Sequence, residues 1–181
     1  MPRYAALLRG IAPAFPNHGN DKLRGVFERL GFEGVASVLA SGNILFRSDE
    51  TDAAALEQRI EVALTRDLGL SSRTILRTHG ELRALVDSDP FAGLTHGRGT
   101  YLTATFLKDS PEPGVAPADL QDTLTRLVRY DPDVRAVLAV TDNSSPGSTP
   151  DFMGLLERTY GKAITTRSWL TVQRIVAKLE G

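Results

Sequence analysis

The chain contains no cysteine, and of its 181 residues only one is tryptophan, two are methionine and three are histidine. Without cysteine there can be no disulfide, no thiolate nucleophile and no zinc–sulfur centre. The same absence fits a reducing compartment. His18, His79 and His96 are scattered without metal-ligand spacing, so neither a metal nor a cofactor is expected. An excess of one charge is also missing, since 21 basic residues face 22 acidic ones and leave a formal charge of −1. Proteins that bind duplexes draw affinity from phosphate neutralisation and carry a basic excess or stripe. Nucleic acid is therefore disfavoured as a partner. No apolar run approaches the roughly 20 residues needed to span a bilayer. Met1-Pro2-Arg3-Tyr4 leads straight into a strand-like run, without the apolar core of a signal peptide. These absences together point to a cytoplasmic protein with no membrane partner.

What is present is an ordinary globular balance, 41% hydrophobic and 24% charged. A chain of this length can bury roughly 70% of its unfolded surface, as one domain or two small ones sharing a core. Tyr4 to Arg9 reads as a first strand, and Gly10 to Gly19, with its prolines and glycines, as a loop. Asn20 or Asp21 is placed to cap a helix carrying Leu23, Val26, Phe27 and Leu30 at helical spacing, with Gly31 as its stop. Val35 to Leu39 and Ile44 to Phe46 are apolar runs split by Ser41-Gly42-Asn43, a hairpin signal. Thr51 or Asp52 opens a longer helix with Leu56, Ile60, Ala63 and Leu64 on one face, stopped by Gly69. Ser72 to Arg77 gives a fourth strand. Residues 1–78 thus read as a ferredoxin-like βαββαβ unit.

Residues 79–181 read as a second, divergent α/β subdomain with C-terminal helices, packed on the first, so that the fold class is α+β. Thr78-x-x-Glu81 is a capping box for a short helix with Leu82, Leu85 and Val86, ended at Asp89-Pro90. Tyr101 to Leu107 is the most strand-like run. Ala118 to Val128 reads as a helix with Leu120, Leu124 and Leu127 inward, and Val134 to Val140 as a strand. Asp142 to Pro150 is the most loop-like segment. Two helices close the chain, over Asp151–Tyr160 and Arg167–Glu180, the last with Trp169, Val172, Val176 and Leu179 as its apolar stripe.

Several chemical signatures can be set aside. The Gly10-to-Gly19 loop sits where a phosphate-binding loop would, but matches neither the G-x-x-x-x-G-K-[ST] nor the G-x-G-x-x-G pattern. RNA-recognition modules with this element order stack bases on paired aromatics of the central strands. Here only Tyr4 and Phe46 are available, and packing is the simpler role for both. No Ser-His-Asp order, H-E-x-x-H or acidic calcium loop occurs.

Three polar clusters remain. Arg9-Gly10 leaves the first strand at its C-terminal end, Ser41-Gly42-Asn43 forms the hairpin turn, and Thr165 to Trp169 is read as a helix start whose free N–H groups favour an anion. Arginine offers a planar fork to carboxylate or phosphate. Strands one and three of this motif run antiparallel side by side, so Arg9 is expected beside Asn43. Structural roles are available for each: turn chemistry for 41–43, a carbonyl or acidic partner for Arg9, an N-cap for Thr166 and a core anchor for Trp169.

These residues also carry a resemblance. Y-A-A-L-L-R-G-I at 4–11, then Phe27, Leu30, Gly31 and Phe32, S-G-N-I-L-F at 41–46, D-P-F at 89–91 and T-T-R-S-W-L-T-V at 165–172 are similar, in order, to the bacterial family called domain of unknown function 1697. That family's pattern runs L-L-R-G-I-N-V-G-G, S-G-N-x-x-F, N-P-F and T-x-R-N-W-N-T. The resemblance implies an α/β fold with ferredoxin-like parts and no established activity. Arg9, Gly10, Ser41, Gly42, Asn43, Arg167, Trp169 and Thr171 match the pattern. Ala12 to Pro16 replaces its glycine-rich loop, and Ser168 and Leu170 replace two asparagines.

The candidate ligand-binding set is therefore Arg9, Gly10, Ser41, Gly42, Asn43, Thr166, Arg167 and Trp169, holding a small anionic molecule. The alternatives are a self-associating interaction or scaffold protein and an enzyme with a dispersed site; the chain is expected as a monomer or homodimer.

Overall fold

A computed structural model describes residues 1–112, 124–144 and 151–181. The described residues form a mixed α+β structure with two four-stranded antiparallel sheets and five helices. They fall into two compact units, 1–82 together with 174–181, and 83–173.

The first unit runs β1 (Arg3–Leu8), α1 (Asn20–Arg29), β2 (Glu33–Ser37), β3 (Asn43–Arg47), α2 (Ala53–Leu68), β4 (Thr74–Thr78) and the start of α3 (His79–Asp87). Its strands lie in the order β2-β3-β1-β4. Alternate residues of β1, namely Tyr4, Ala6 and Leu8, face a core built with Phe27, Phe46, Leu56 and Ile60. Each large apolar side chain fully buried there contributes about 1.5–3 kcal/mol. Tyr4 and Phe46 stack at 5.3 Å inside this core, so neither ring is offered to a nucleobase. Asp52 caps α2 by accepting from the Ala55 N–H at 3.1 Å, and Gly69 ends it in the left-handed region. At α1 the expected polar cap is replaced. Gly19 occupies the N-cap without a side-chain bond, and the Asn20 amide instead donates to the Leu39 carbonyl at 2.8 Å.

β4 is a sheet edge, where alternate N–H groups have no strand to bond. Three glutamates fill that role. The N–H groups of Thr74, Leu76 and Thr78 donate to the carboxylates of Glu61 (2.9 Å), Glu57 (3.0 Å) and Glu81 (2.7 Å). Glu57 and Glu61 are one helical turn apart on α2, so the helix lies along the edge and seals it. The third belongs to the capping box read from sequence, for Glu81 N–H also donates to the Thr78 hydroxyl at 3.1 Å.

The second unit holds the rest of α3, β5 (Tyr101–Leu107), β6 (Thr125–Asp131), β7 (Ala136–Thr141), α4 (Phe152–Tyr160), β8 (Ile164–Ser168) and the first turn of α5 (Trp169–Glu180). Its strand order, β6-β7-β5-β8, repeats the plan of the first sheet. Two sequence expectations are corrected here. Thr125 to Val128 is strand, not the end of a helix; the rest of that expected helix, 118–123 with Leu120, lies outside the described residues apart from Leu124. Apolar residues at 124 and 127 fit either period, and pairing with β7 along 125–131 decides for strand. The final helix begins at Trp169, because Ile164 to Ser168 pairs with β5. Of the segment 142–150, residues 145–150 lie outside the described residues.

The repeat extends to an unusual residue. Ala5 of β1 pairs with Arg77, and Ala104 of β5 with Arg167. Both arginines are buried, each one residue before its strand ends and a helix begins with no intervening loop. Each guanidinium donates to the carbonyl of the residue before it, Leu76 at 2.6 Å and Thr166 at 2.9 Å.

The sealed edge makes a direct prediction. Glu57→Ala leaves a buried N–H without its acceptor and should cost about 2–3 kcal/mol, measured by urea unfolding, with faster hydrogen exchange at Leu76. Glu57→Gln keeps an acceptor oxygen and should cost clearly less. Equal losses for the two variants would show that the bond to Leu76 contributes little.

Candidate functional site

β1 ends with Leu7 opposite Asn43, and the Leu8 N–H donates to the Gly42 carbonyl at 2.9 Å. The chain turns at Gly10, whose φ of 75° is left-handed. Gly42 also has a left-handed φ, 81°, and a Cβ there would meet Ile11 at 2.8 Å and Leu8 Cβ at 3.1 Å. The 8–11 segment therefore packs directly on the turn, and glycine is required by both backbone and space. Asn43 is fully buried; its amide donates to the Val38 carbonyl at 3.0 Å and the Ser41 hydroxyl at 3.1 Å. Its amide thus holds the turn. Ser41 and Gly10 are exposed and Arg9 is half-buried.

The expected meeting of Arg9 with the 41–43 turn is thus present in the backbone. Sequence reading overlooked a further neighbour, Arg73. The Arg9 N–H donates to the Arg73 carbonyl at 2.9 Å, while the Ser72 hydroxyl donates to the Arg9 carbonyl at 2.8 Å. The signal was available: antiparallel β1–β4 pairing brings the end of one strand to the start of the other. Nearby, His18 Nδ1 accepts from the Ala12 N–H at 3.0 Å and ties down the 10–19 loop.

Thr166, Arg167 and Trp169 belong to the second unit, whereas Arg9, Gly10 and the 41–43 turn belong to the first. The helix-start rationale for this cluster is corrected. Thr166 and Arg167 lie within β8, so their N–H groups are not those of a helix N-terminus, and Thr166 is no N-cap. Ser168 takes that position, its hydroxyl accepting from the Thr171 N–H at 3.3 Å. The Arg167 guanidinium is buried and donates to the Thr165 hydroxyl at 2.6 Å. Burial pushes it down to about 10, which leaves it charged at neutral pH. Trp169 is buried edge-on against Phe91 at 5.1 Å, as a core anchor would be.

Among the described residues no group of three His, Asp or Glu side chains is arranged to hold a metal ion. Among the same residues no helix is long and apolar enough to cross a membrane.

The fold is similar to that of the conserved bacterial protein SP0830 from Streptococcus pneumoniae, with a TM-score of 0.74 over 98% of each chain. The two sequences are 21% identical, so this likeness speaks to fold alone. No curated protein matches the chain. The family model described as "Protein of unknown function (DUF1697)" matches residues 1–129, which include both Arg9 and the Ser41-Gly42-Asn43 turn. The chain therefore belongs to the DUF1697 family of proteins of unknown function.

Proposed function

We propose that this protein binds a small anionic molecule at the corner formed by Arg9, Gly10 and the Ser41-Gly42-Asn43 turn. The observation that carries the reading is the backbone bond of 2.9 Å from Arg9 to Arg73, which seats two arginines side by side at an open corner. Two guanidinium groups carried by facing chain segments can each donate charge-assisted hydrogen bonds to one anion. Ser41 and Gly10 are exposed, so the Ser41 hydroxyl and the Gly10 N–H are further neutral donors. The framework beneath them is preorganised: Asn43, Ser72 and the Gly42 contact with Ile11 fix the backbone before any ligand arrives. The reading takes the first unit as ferredoxin-like, supported by its β2-β3-β1-β4 order with every neighbour antiparallel.

Thermal unfolding with inorganic phosphate, pyrophosphate and citrate tests the reading. At 100 times its Kd, a ligand stabilises the fold by about 2.7 kcal/mol. At least one of these anions should raise the midpoint, less so in added sodium chloride, and Arg9→Ala combined with Arg73→Ala should remove the rise. A rise that survives in the double variant would sink the proposal.

Gly42→Ala places a Cβ against Ile11 with φ at 81° and should cost about 1–3 kcal/mol. It should also weaken the anion-induced shift more than Ser41→Ala does, because it moves the segment that carries Arg9. A shift unchanged in Gly42→Ala would separate the turn from the site.

A further inference from the structure

The second unit contains a cleft with chemistry unlike the arginine corner. Pairing Ala5 with Arg77 and Ala104 with Arg167 brings the two sheets into register, so Tyr4, Ala6 and Leu8 correspond to Thr103, Thr105 and Leu107. In the first unit that face is closed under aromatic and aliphatic side chains. In the second, Leu107 is the β5 residue in the apolar cluster that it forms with Val137, Ala139, Phe152, Leu156 and Ile164. Towards Tyr101 the floor changes to hydroxyls: Thr103 and Thr105 on β5, Thr166 opposite Thr105 on β8, and Thr141 opposite Tyr101 on β7. Over them lies a cleft of about 240 Å³, walled by Phe152 and Met153 of α4 and rimmed by Asn143.

Three observations define what would fill it. None of the side chains lining the cleft carries a formal charge, so a charged ligand would lose hydration there without a partner. Two of the large apolar side chains that the described residues leave exposed, Tyr101 and Met153, stand at this one cleft. The hydroxyls are unequally served. Thr105 and Thr166 share a bond of 2.7 Å, and Thr166 donates on to the Met153 sulfur at 2.8 Å. Thr103, only 9% exposed and on the cleft floor, has no hydrogen-bond partner for its hydroxyl among the described residues. That hydroxyl opens onto the cleft, where it can donate to or accept from a polar group on a ligand. A cavity of roughly 150 Å³ is enough for a benzene ring.

We infer that this cleft binds a small uncharged ring compound, its face against Tyr101 and Met153 and its polar group bonded to the Thr103 hydroxyl. The ring gains apolar contact from Phe152 and Met153, and the polar edge meets the threonines. This inference is independent of the anion site, which lies in the other unit and uses arginine.

Phenol, toluene and benzoate are the probes, with the full chain labelled at the methionine methyls; Met153 is one of only two methionines. Phenol should shift the Met153 methyl signal saturably, toluene should do so more weakly, and benzoate should leave it unmoved at equal concentration. Thr103→Val keeps the shape of the side chain and should weaken phenol by about ten-fold while leaving toluene unchanged. Arg9→Ala should not alter any of the three, so a failed anion site and a failed cleft would be told apart. Absence of a saturable shift with phenol, benzoate binding as well as phenol, or phenol indifferent to Thr103→Val would each overturn the inference.

Discussion

A strand at the edge of a sheet presents every second N–H to whatever lies beside it. In β4 those donors are at Thr74, Leu76 and Thr78, and all three are bound by carboxylates. Two of the acceptors come from α2, so the helix is held along the edge at the same time as its apolar face covers the sheet. The third belongs to the capping box that converts β4 into α3 with no loop between them. One set of charge-assisted bonds therefore closes the edge, orients a helix and starts the next one. The position of the arginine corner follows from this, because β4 carries Arg73 to the end of β1 only when β4 is held as the sheet's last strand.

The two sheets share an order and a register, and each places an arginine, 77 or 167, opposite an alanine at the last strand before a helix. Burying a guanidinium is costly. In both cases the carbonyl of the preceding residue accepts from it, and in the second a threonine hydroxyl does as well. The alanines fit this arrangement, since a larger side chain at 5 or 104 would compete for the volume the arginine fills. The same repeat throws the difference between the faces into relief. Where the first unit has Tyr4 and Ala6 in a dry core, the second has Thr103 and Thr105 under an open cleft.

Much of the first unit was legible in the sequence because its signals agree with one another. Period-3.6 apolar residues in α1 and α2, the Asp52 cap, the Gly69 stop and the Thr78–Glu81 box each depend on residues a few positions apart. The errors fell where local signals were ambiguous or pointed elsewhere. Leu124 and Leu127 fit a helix, yet residues 125–131, Leu127 among them, form the strand that pairs with β7. Thr165 to Ser168 resembles a helix start, yet hydrogen bonding to β5 extends the strand to Ser168. Asn20 looked like a cap and bonds Leu39 instead.

The sequence by itself determined the class, the family, the element order of the first 78 residues and the place of Arg9 beside the Ser-Gly-Asn turn, since all of these rest on short-range chemistry or on pairing that element order dictates. Only the tertiary structure decided that Arg73 joins Arg9, that Asn43 is held inside the turn, that Arg167 is buried within a strand, and that Thr103 lies on the floor of a cleft. Each of those depends on which residues from distant parts of the chain meet across a sheet, and strand register, which carries no local signature, sets that meeting.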